Sequence, residues 1–262
     1  MTAQERIRKV EAIVISHADY GEADRFLVLF TREMGKVRAL AKGVRKAHSR
    51  KAGHLEPFTC STLMLARGAS FWIVTQAESV NAFLPIRADL TRTGQAAYIL
   101  ELAERFSSDD EENPQLYRLV KEALERITNE ADAFYAIHYY EMRFLELVGY
   151  KPELFQCVQC RKEIQAEEQF FSPLQGGVLC PACGTMINTA EPVSMPTLKY
   201  LRHFQRSSYA ECKRATLSSA QRNEIEKFMQ HYLVYLAERR LNSPRFLSQV
   251  RRLDGQKENE GQ

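Results

Sequence analysis

Cys157, Cys160, Cys180 and Cys183 form a CVQC pair and a CPAC pair separated by nineteen residues. A CxxC turn sets two sulfurs on one side of a tight knuckle. Two such knuckles joined by a hairpin-length insert complete the tetrahedron of thiolates that zinc prefers. Because cysteine fills all four positions, none is left open for water, and the expected ion is structural, one zinc per chain. Spacing alone leaves a redox dithiol pair or an iron centre open. Gly184, just past the second knuckle, fits the left-handed backbone position such turns often need. Cys60, in an alternating apolar run, and Cys212, in a polar stretch, pair with no base and read as small hydrophobes.

The second concentration of chemistry is charge. The chain carries 36 Lys+Arg against 33 Asp+Glu, a net charge of +3. Between residues 32 and 51, however, Arg32, Lys36, Arg38, Lys42, Arg45, Lys46, Arg50 and Lys51 face Glu33 alone. Gly43 and Gly53 interrupt this stretch, so it suits a strand running into a mobile loop better than an amphipathic helix. Cations on such a loop can follow phosphates with little sequence preference. Phe71 and Trp72, with Phe26 and Phe30, could offer a stacking platform to bases, although such side chains equally fill a barrel core. As strand neighbours point to opposite faces, only one of Phe71 and Trp72 can be outside.

Signatures of catalysis are missing from the sequence: there is no GxxxxGK[ST], HExxH, GxSxG or strand-linked GxGxxG. Asp19, Glu22 and Asp24 cluster in DYGEAD, but Gly21 and the flanking strands favour a hairpin connection over a metal site. His138, in IHYYE, reads as a packed or surface helix residue. An enzyme is disfavoured.

The elements that must position these groups follow from periodicity. A length of 262 residues suits about two domains. The 45% hydrophobic and 26% charged content excludes a mostly disordered chain. No apolar run approaches the ~20 residues of a membrane crossing, and no secretory signal is visible. A cytosolic location is expected, where disulfides would not persist and paired CxxC knuckles read as a metal site. Residues 10–16, 24–31, 36–41, 58–66 and 71–77 are short β-branched or aromatic runs, which suit an OB-type five-stranded β-barrel; an SH3-like barrel or small open sheet gives a similar string. After Pro85 the period becomes helical over 93–106, 115–127 and 131–148, and again over 195–205 and 219–241. Ser218 and Gln221 have capping-box spacing. Between the knuckles, EQFFS, PLQGG and VLC read as strand, turn and strand.

The run DYGEADRFLVLFTREMGKVRALAKGVRKAHSRKAGHLEPF, the helices, the CVQC and CPAC knuckles, and SPRFLSQV at 243–250 together resemble the RecO family of bacterial recombination mediators. The resemblance covers nearly the whole chain, to about residue 250. It implies an α+β multidomain protein: an OB-fold over 1–80, and an α-helical domain over 81–253 with a zinc module at 155–184 inserted. The polar tail, 254–262, is expected to be disordered. It also implies a cytoplasmic, nucleoid-associated DNA repair protein that performs no covalent chemistry. Such a protein binds single- and double-stranded DNA, anneals complementary strands, acts with the RecR protein, and helps load RecA onto DNA coated by single-strand-binding protein. The basic residues after Gly35 match the family's DNA-contacting region by position. The helix around His231 to Arg240 would receive the acidic, Phe-ended tail of single-strand-binding protein. The runner-up, from residues alone, is a zinc-ribbon transcription or RNA-associated factor. Only Arg161 and Lys162 add positive charge near the knuckles, so charge points to the N-terminal domain as the binder.

Overall fold

The computed structural model describes residues 6–237. These fall into two compact units, one ending at Glu130 and the other beginning at Ala131. SPRFLSQV, the polar tail and the C-terminal end of the last expected helix lie outside the described residues.

In the first unit, β1 (Ile7–Tyr20), β2 (Asp24–Thr31), β3 (Gly35–Ala41), β4 (Cys60–Arg67) and β5 (Trp72–Asn81) close into a barrel in the order β1-β2-β3-β5-β4. All pairings are antiparallel except β3 with β5, which run parallel through Ala39 opposite Trp72 and Leu40 opposite Ile73. Full closure in this order is the OB arrangement, which separates it from an open sheet. The period-two alternation of the strands sends Val10, Ala12, Val14, Leu27, Leu29, Leu63, Leu65 and Val74 inward. A bulge between Val14 and Ser16 bends β1 so that it can pair with both β2 and β4.

Helices α1 (Leu84–Ala88), α2 (Leu90–Phe106) and α3 (Pro114–Asn129) belong to the same compact unit. The Asp89 and Asn113 side chains cap α2 and α3 by accepting from Arg92 N and Leu116 N, and Pro114 occupies the first turn, where its missing N–H costs nothing. Tyr117 of α3 lies against Phe30 of β2, with ring centroids 5.9 Å apart, and donates to Glu11 of β1 at 3.1 Å. Lys121, one turn on, reaches the same carboxylate at 2.7 Å. The compact division thus falls well after the change of period near residue 80, which marks where strand gives way to helix.

The second unit begins with α4 (Phe134–Leu147), ended by Gly149 at a φ of 83°. A small sheet follows, made of β6 (Gln169–Ser172), β7 (Gly177–Leu179) and β8 (Glu191–Val193) in the order β7-β6-β8, with the short α5 (Pro181–Gly184) between β7 and β8. Helices α6 (Met195–Arg206), α7 (Tyr209–Cys212) and α8 (Ser219–Leu236) complete it. The capping box of Ser218 with Gln221 forms at the start of α8. Tyr140, Phe144, Leu201, Phe204, Ile225 and Met229 are buried between the helices. His138 is buried with them and meets the Glu141 carboxylate at 2.5 Å, one helical turn away. Among the described residues, no helix is long and apolar enough to cross a membrane.

Candidate nucleic-acid interface and metal centre

The basic stretch leaves β3 at Ala41 and returns to β4 at Cys60. It is folded down, contrary to the mobile loop expected from its glycines and charge. Val44 and Leu55 are buried in the barrel core, and a 3-10 turn forms at Ala52–His54. Backbone bonds tie it further: Gly43 N donates to Asp24 Oδ1 at 2.7 Å and Arg45 N to the Ala23 carbonyl at 2.9 Å. Two apolar side chains within a cationic run were enough to anchor it, because each gains burial energy that the charged neighbours do not oppose while they face water.

The eight cations therefore divide by environment. Lys36 pairs with Asp109 at 3.2 Å and donates to the Glu104 carbonyl at 3.1 Å. Lys51 donates to the carbonyls of Lys42 and Val74 at 3.1 and 3.0 Å, and burial pushes its ammonium below the usual lysine range. Arg45 pairs with Asp19 at 3.3 Å and donates to the Gly21 carbonyl. Arg32 lies 3.6 Å from Glu33 and Arg38 3.9 Å from Asp109, both largely exposed. Lys42, Lys46 and Arg50 are exposed and have no carboxylate partner among the described residues. The stretch thus splits into structural cations and outward cations, a division that charge counting cannot make.

Trp72 is only 7% exposed and belongs to the barrel core, so its ring is not presented to a ligand; the Arg67 guanidinium covers it at 5.0 Å. Phe71, one residue earlier, is 44% exposed. Its ring meets Phe26 edge-on, with centroids 4.6 Å apart, and Phe26 in turn meets Tyr20 at 6.0 Å. Phe30 is buried, facing Tyr117. The outer rings are therefore Tyr20, Phe26 and Phe71. Tyr20 lies within DYGEAD itself, at the end of β1, which runs four residues past the strand expected over 10–16 and so carries this ring onto the barrel. Arg45, bonded to Gly21 and Asp19, links the basic loop to that hairpin.

The DYGEAD carboxylates serve the backbone and the cations. Asp24 holds Gly43, while Asp19 takes both Arg25, at 3.3 Å, and Arg45. Glu22 is exposed. The hairpin reading stands, with Gly21 at a φ of 57°.

The four module cysteines place their sulfurs within 4.8 Å of one another, the group of potential metal ligands that stands out among the described residues. Cys160 and Cys180 lie 3.8 Å apart, the edge of a tetrahedron whose centre is about 2.3 Å from each sulfur, the usual Zn–S distance. Burial raises the Cys157 thiol, but bonds from the backbone of Cys160, Cys180 and Gln159 overcome this and bring it down to about 6. The side chains of Cys180 and its neighbours push Cys183 up to about 12. Four sulfurs gathered at tetrahedral spacing are the donor set a zinc ion would complete. In the first knuckle Arg161, at a φ of 63°, takes the left-handed position, and its N–H donates to the Cys157 carbonyl at 2.8 Å. Gly184 does not: it closes a helical turn, and a Cβ there would come within 2.3 Å of the Phe170 ring, so close packing demands glycine. Cys60 and Cys212 are buried, and burial raises both thiols, Cys212 to about 11, as inert packing residues require.

A closed five-stranded barrel with a cationic rim, in a chain whose helical part carries a four-cysteine cluster, defines an OB-type multidomain class of protein. Two family models divide the chain: Recombination protein O N terminal matches residues 6–83 and Recombination protein O C terminal matches 87–245. The chain is 36% identical over 250 residues to the DNA repair protein RecO of a Roseiflexus species, covering 95% of this chain and 88% of that relative. It is 37% identical over 218 residues to the DNA repair protein RecO of Dehalococcoides mccartyi, covering 83% and 86%. Against the same-named protein of Bacillus pumilus the identity is 30% over 243 residues, covering 92% and 94%. The chain belongs to the RecO family of DNA repair proteins.

Proposed function

We propose that this protein is a recombination mediator that binds single- and double-stranded DNA, anneals complementary strands and, with RecR, helps load RecA onto DNA coated by single-strand-binding protein. The observation that supports this most is the presence on one barrel of three outward cations, Lys42, Lys46 and Arg50, and of the exposed rings of Tyr20 and Phe71, joined through half-buried Phe26. Cations attract phosphates without reading sequence, and rings stack on any base. A surface built that way lowers the repulsion between two strands without engaging the base edges that must pair. Arg32, Arg38 and Arg45 can exchange their carboxylate partners for phosphate as the strand arrives. Lys36 and Lys51 hold the surface in shape.

In this reading Cys157, Cys160, Cys180 and Cys183 hold one zinc ion as a scaffold, because four thiolates leave no position for a substrate. A cytoplasmic, nucleoid-associated location follows from the DNA ligand. Helix α8 is the proposed dock for the tail of single-strand-binding protein. His231 there pairs with Glu191 at 2.9 Å and Tyr235 is exposed, while Glu238 to Arg240 lie outside the described residues. Calorimetry with the tail peptide and the full chain tests that dock: heat of binding lost in Tyr235→Ala supports it, and no heat with the parent chain refutes it.

The main test is annealing of two complementary dye-labelled oligonucleotides, with binding to single-stranded DNA, duplex and RNA measured in parallel. Annealing that accelerates with protein and fails in the Lys42→Ala, Lys46→Ala, Arg50→Ala triple variant supports the proposal. Binding confined to RNA, or to one DNA sequence, would favour a zinc-ribbon transcription or RNA-associated factor instead.

A further inference from the structure

Helix α6 has no acidic residue from Met195 to Arg206. Its apolar side, Leu198, Leu201 and Phe204, is buried. Lys199, Arg202, His203 and Arg206 recur at the i, i+3, i+4, i+7 spacing that places side chains on one helix face. Lys199 and Arg206 are exposed. The guanidinium carbons of Arg202 and Arg206 lie 5.1 and 4.6 Å from the same Phe155 ring, so two like charges are held side by side. Arg202 spends its Nε on the Leu154 carbonyl at 2.7 Å, and its Nη2 is a buried donor with no protein acceptor. Lys199, Tyr200, His203, Arg206, Ser207 and Ala215 line a cleft of about 500 Å³ beside this face. Exposed Arg214 follows on the turn after α7. The opposing carboxylates are Glu211, engaged by Ser208, and Glu153 and Glu163, which act on Arg202.

We infer that the basic face of α6 is a second binding surface for the phosphate backbone of nucleic acid, lying wholly within the helical unit. The inference rests on the proposed DNA-binding function and extends it from one polyanion site to two. Seven residues of helix span about 10 Å, or about three phosphate steps at roughly 3.4 Å per strand. A row of cations of that length matches a strand better than a single anion. An acidic peptide anchored by an aromatic end would use the apolar part of the cleft, Tyr200 and Ala215; the row of Lys199, Arg202, His203 and Arg206 runs along the helix and suits a repeating anion better. A protein with one such face per unit can hold two strands at once, as annealing demands.

The test uses the full chain and dye-labelled single-stranded and duplex oligonucleotides, titrated across salt. The variant Lys199→Ala with Arg206→Ala avoids Arg202, which the Leu154 bond makes structural. Two lost contacts should reduce the slope of log affinity against log salt by about 1.8 on duplex and about 1.4 on single strands. The exchange Lys199→Arg with Arg206→Lys should restore it, and thermal midpoints should match the parent. The reduction should add to that of the Lys42, Lys46, Arg50 triple variant. An unchanged slope in the α6 variant, while the triple variant loses affinity, overturns this inference alone. If neither variant changes binding, the barrel reading fails as well. A labelled oligoaspartate peptide that binds the parent but not the α6 variant, with DNA slopes unchanged, would make the face an acidic-protein site and overturn the inference.

Discussion

The ammonium of Lys51 donates to the carbonyl of Val74 at 3.0 Å. A cation from the middle of the basic stretch is thereby spent on joining the loop to β5. Lys51→Ala should lower stability by about 1.5–3 kcal/mol in chemical denaturation, the range for a lost hydrogen bond to a charged group. It should leave the salt dependence of DNA binding nearly unchanged. The Lys42, Lys46, Arg50 triple variant should do the reverse, reducing the duplex slope by about 2.7 at unaltered stability. Equal slopes in the two variants would show that the division between structural and outward cations is wrong.

Phe71 and Trp72 are neighbours in sequence with opposite fates. Phe71→Ala should weaken single-stranded DNA by about 1–3 kcal/mol, the range for one stacked base, with duplex less affected because its bases are already stacked. Trp72→Ala should cost about 3–5 kcal/mol of stability by emptying part of the barrel core. Anisotropy titrations and urea melts on the same two proteins decide between these roles.

Elemental analysis of protein purified without chelator should find one zinc per chain. Because metal-binding energy is also folding energy, Cys160→Ser should lower the thermal midpoint and remove the zinc. Salt-dependent binding through the barrel should survive at low temperature. Metal-free protein with an unaltered melt would refute a structural ion.

Acid should loosen the contact of α3 with β1. Burial pushes the Glu11 carboxyl upward, but the bonds and charge of Lys121, with the Tyr117 hydroxyl, outweigh it and hold the folded value below the usual carboxylate range. A lowered folded value means the contribution is complete above the unfolded carboxyl's value and disappears as pH falls through the folded one. Glu11→Gln should therefore cost stability at pH 7 and progressively less below about pH 4. A penalty equal at pH 7 and pH 3 would show that the charge is not what matters.

The closed barrel was legible because five short alternating runs sit between clear turn signals, and the helices because their apolar spacing is regular. The cysteine cluster was legible for a simpler reason: four ligands in two fixed turns need no tertiary information. Strand β8 was not, since Glu191–Val193 is three residues long and carries a proline, and it exists only because β6 offers it an edge. The roles of Lys36 and Lys51 were equally hidden, because their partners lie 73 residues on at Asp109 and 23 on at Val74. Gly184 was rightly singled out but for the wrong reason: the ring of Phe170, fourteen residues earlier, dictates it.

Parallel pairing of β3 with β5 covers only Ala39 and Leu40, so the first half of β3 has an uncovered flank. The segment after α2 fills that seam: Asp110 N donates to the Lys36 carbonyl at 2.9 Å, and Asp109 bridges to Lys36. It fits only because Gly35 lacks a side chain; a Cβ there would lie 1.8 Å from the Glu111 carbonyl oxygen. Unpaired strand edges recruit strands from other molecules. Gly35 and the acidic segment thus act as a guard against self-association. A bulkier residue at 35 would first be seen as oligomers on a sizing column, before any deficit in DNA handling.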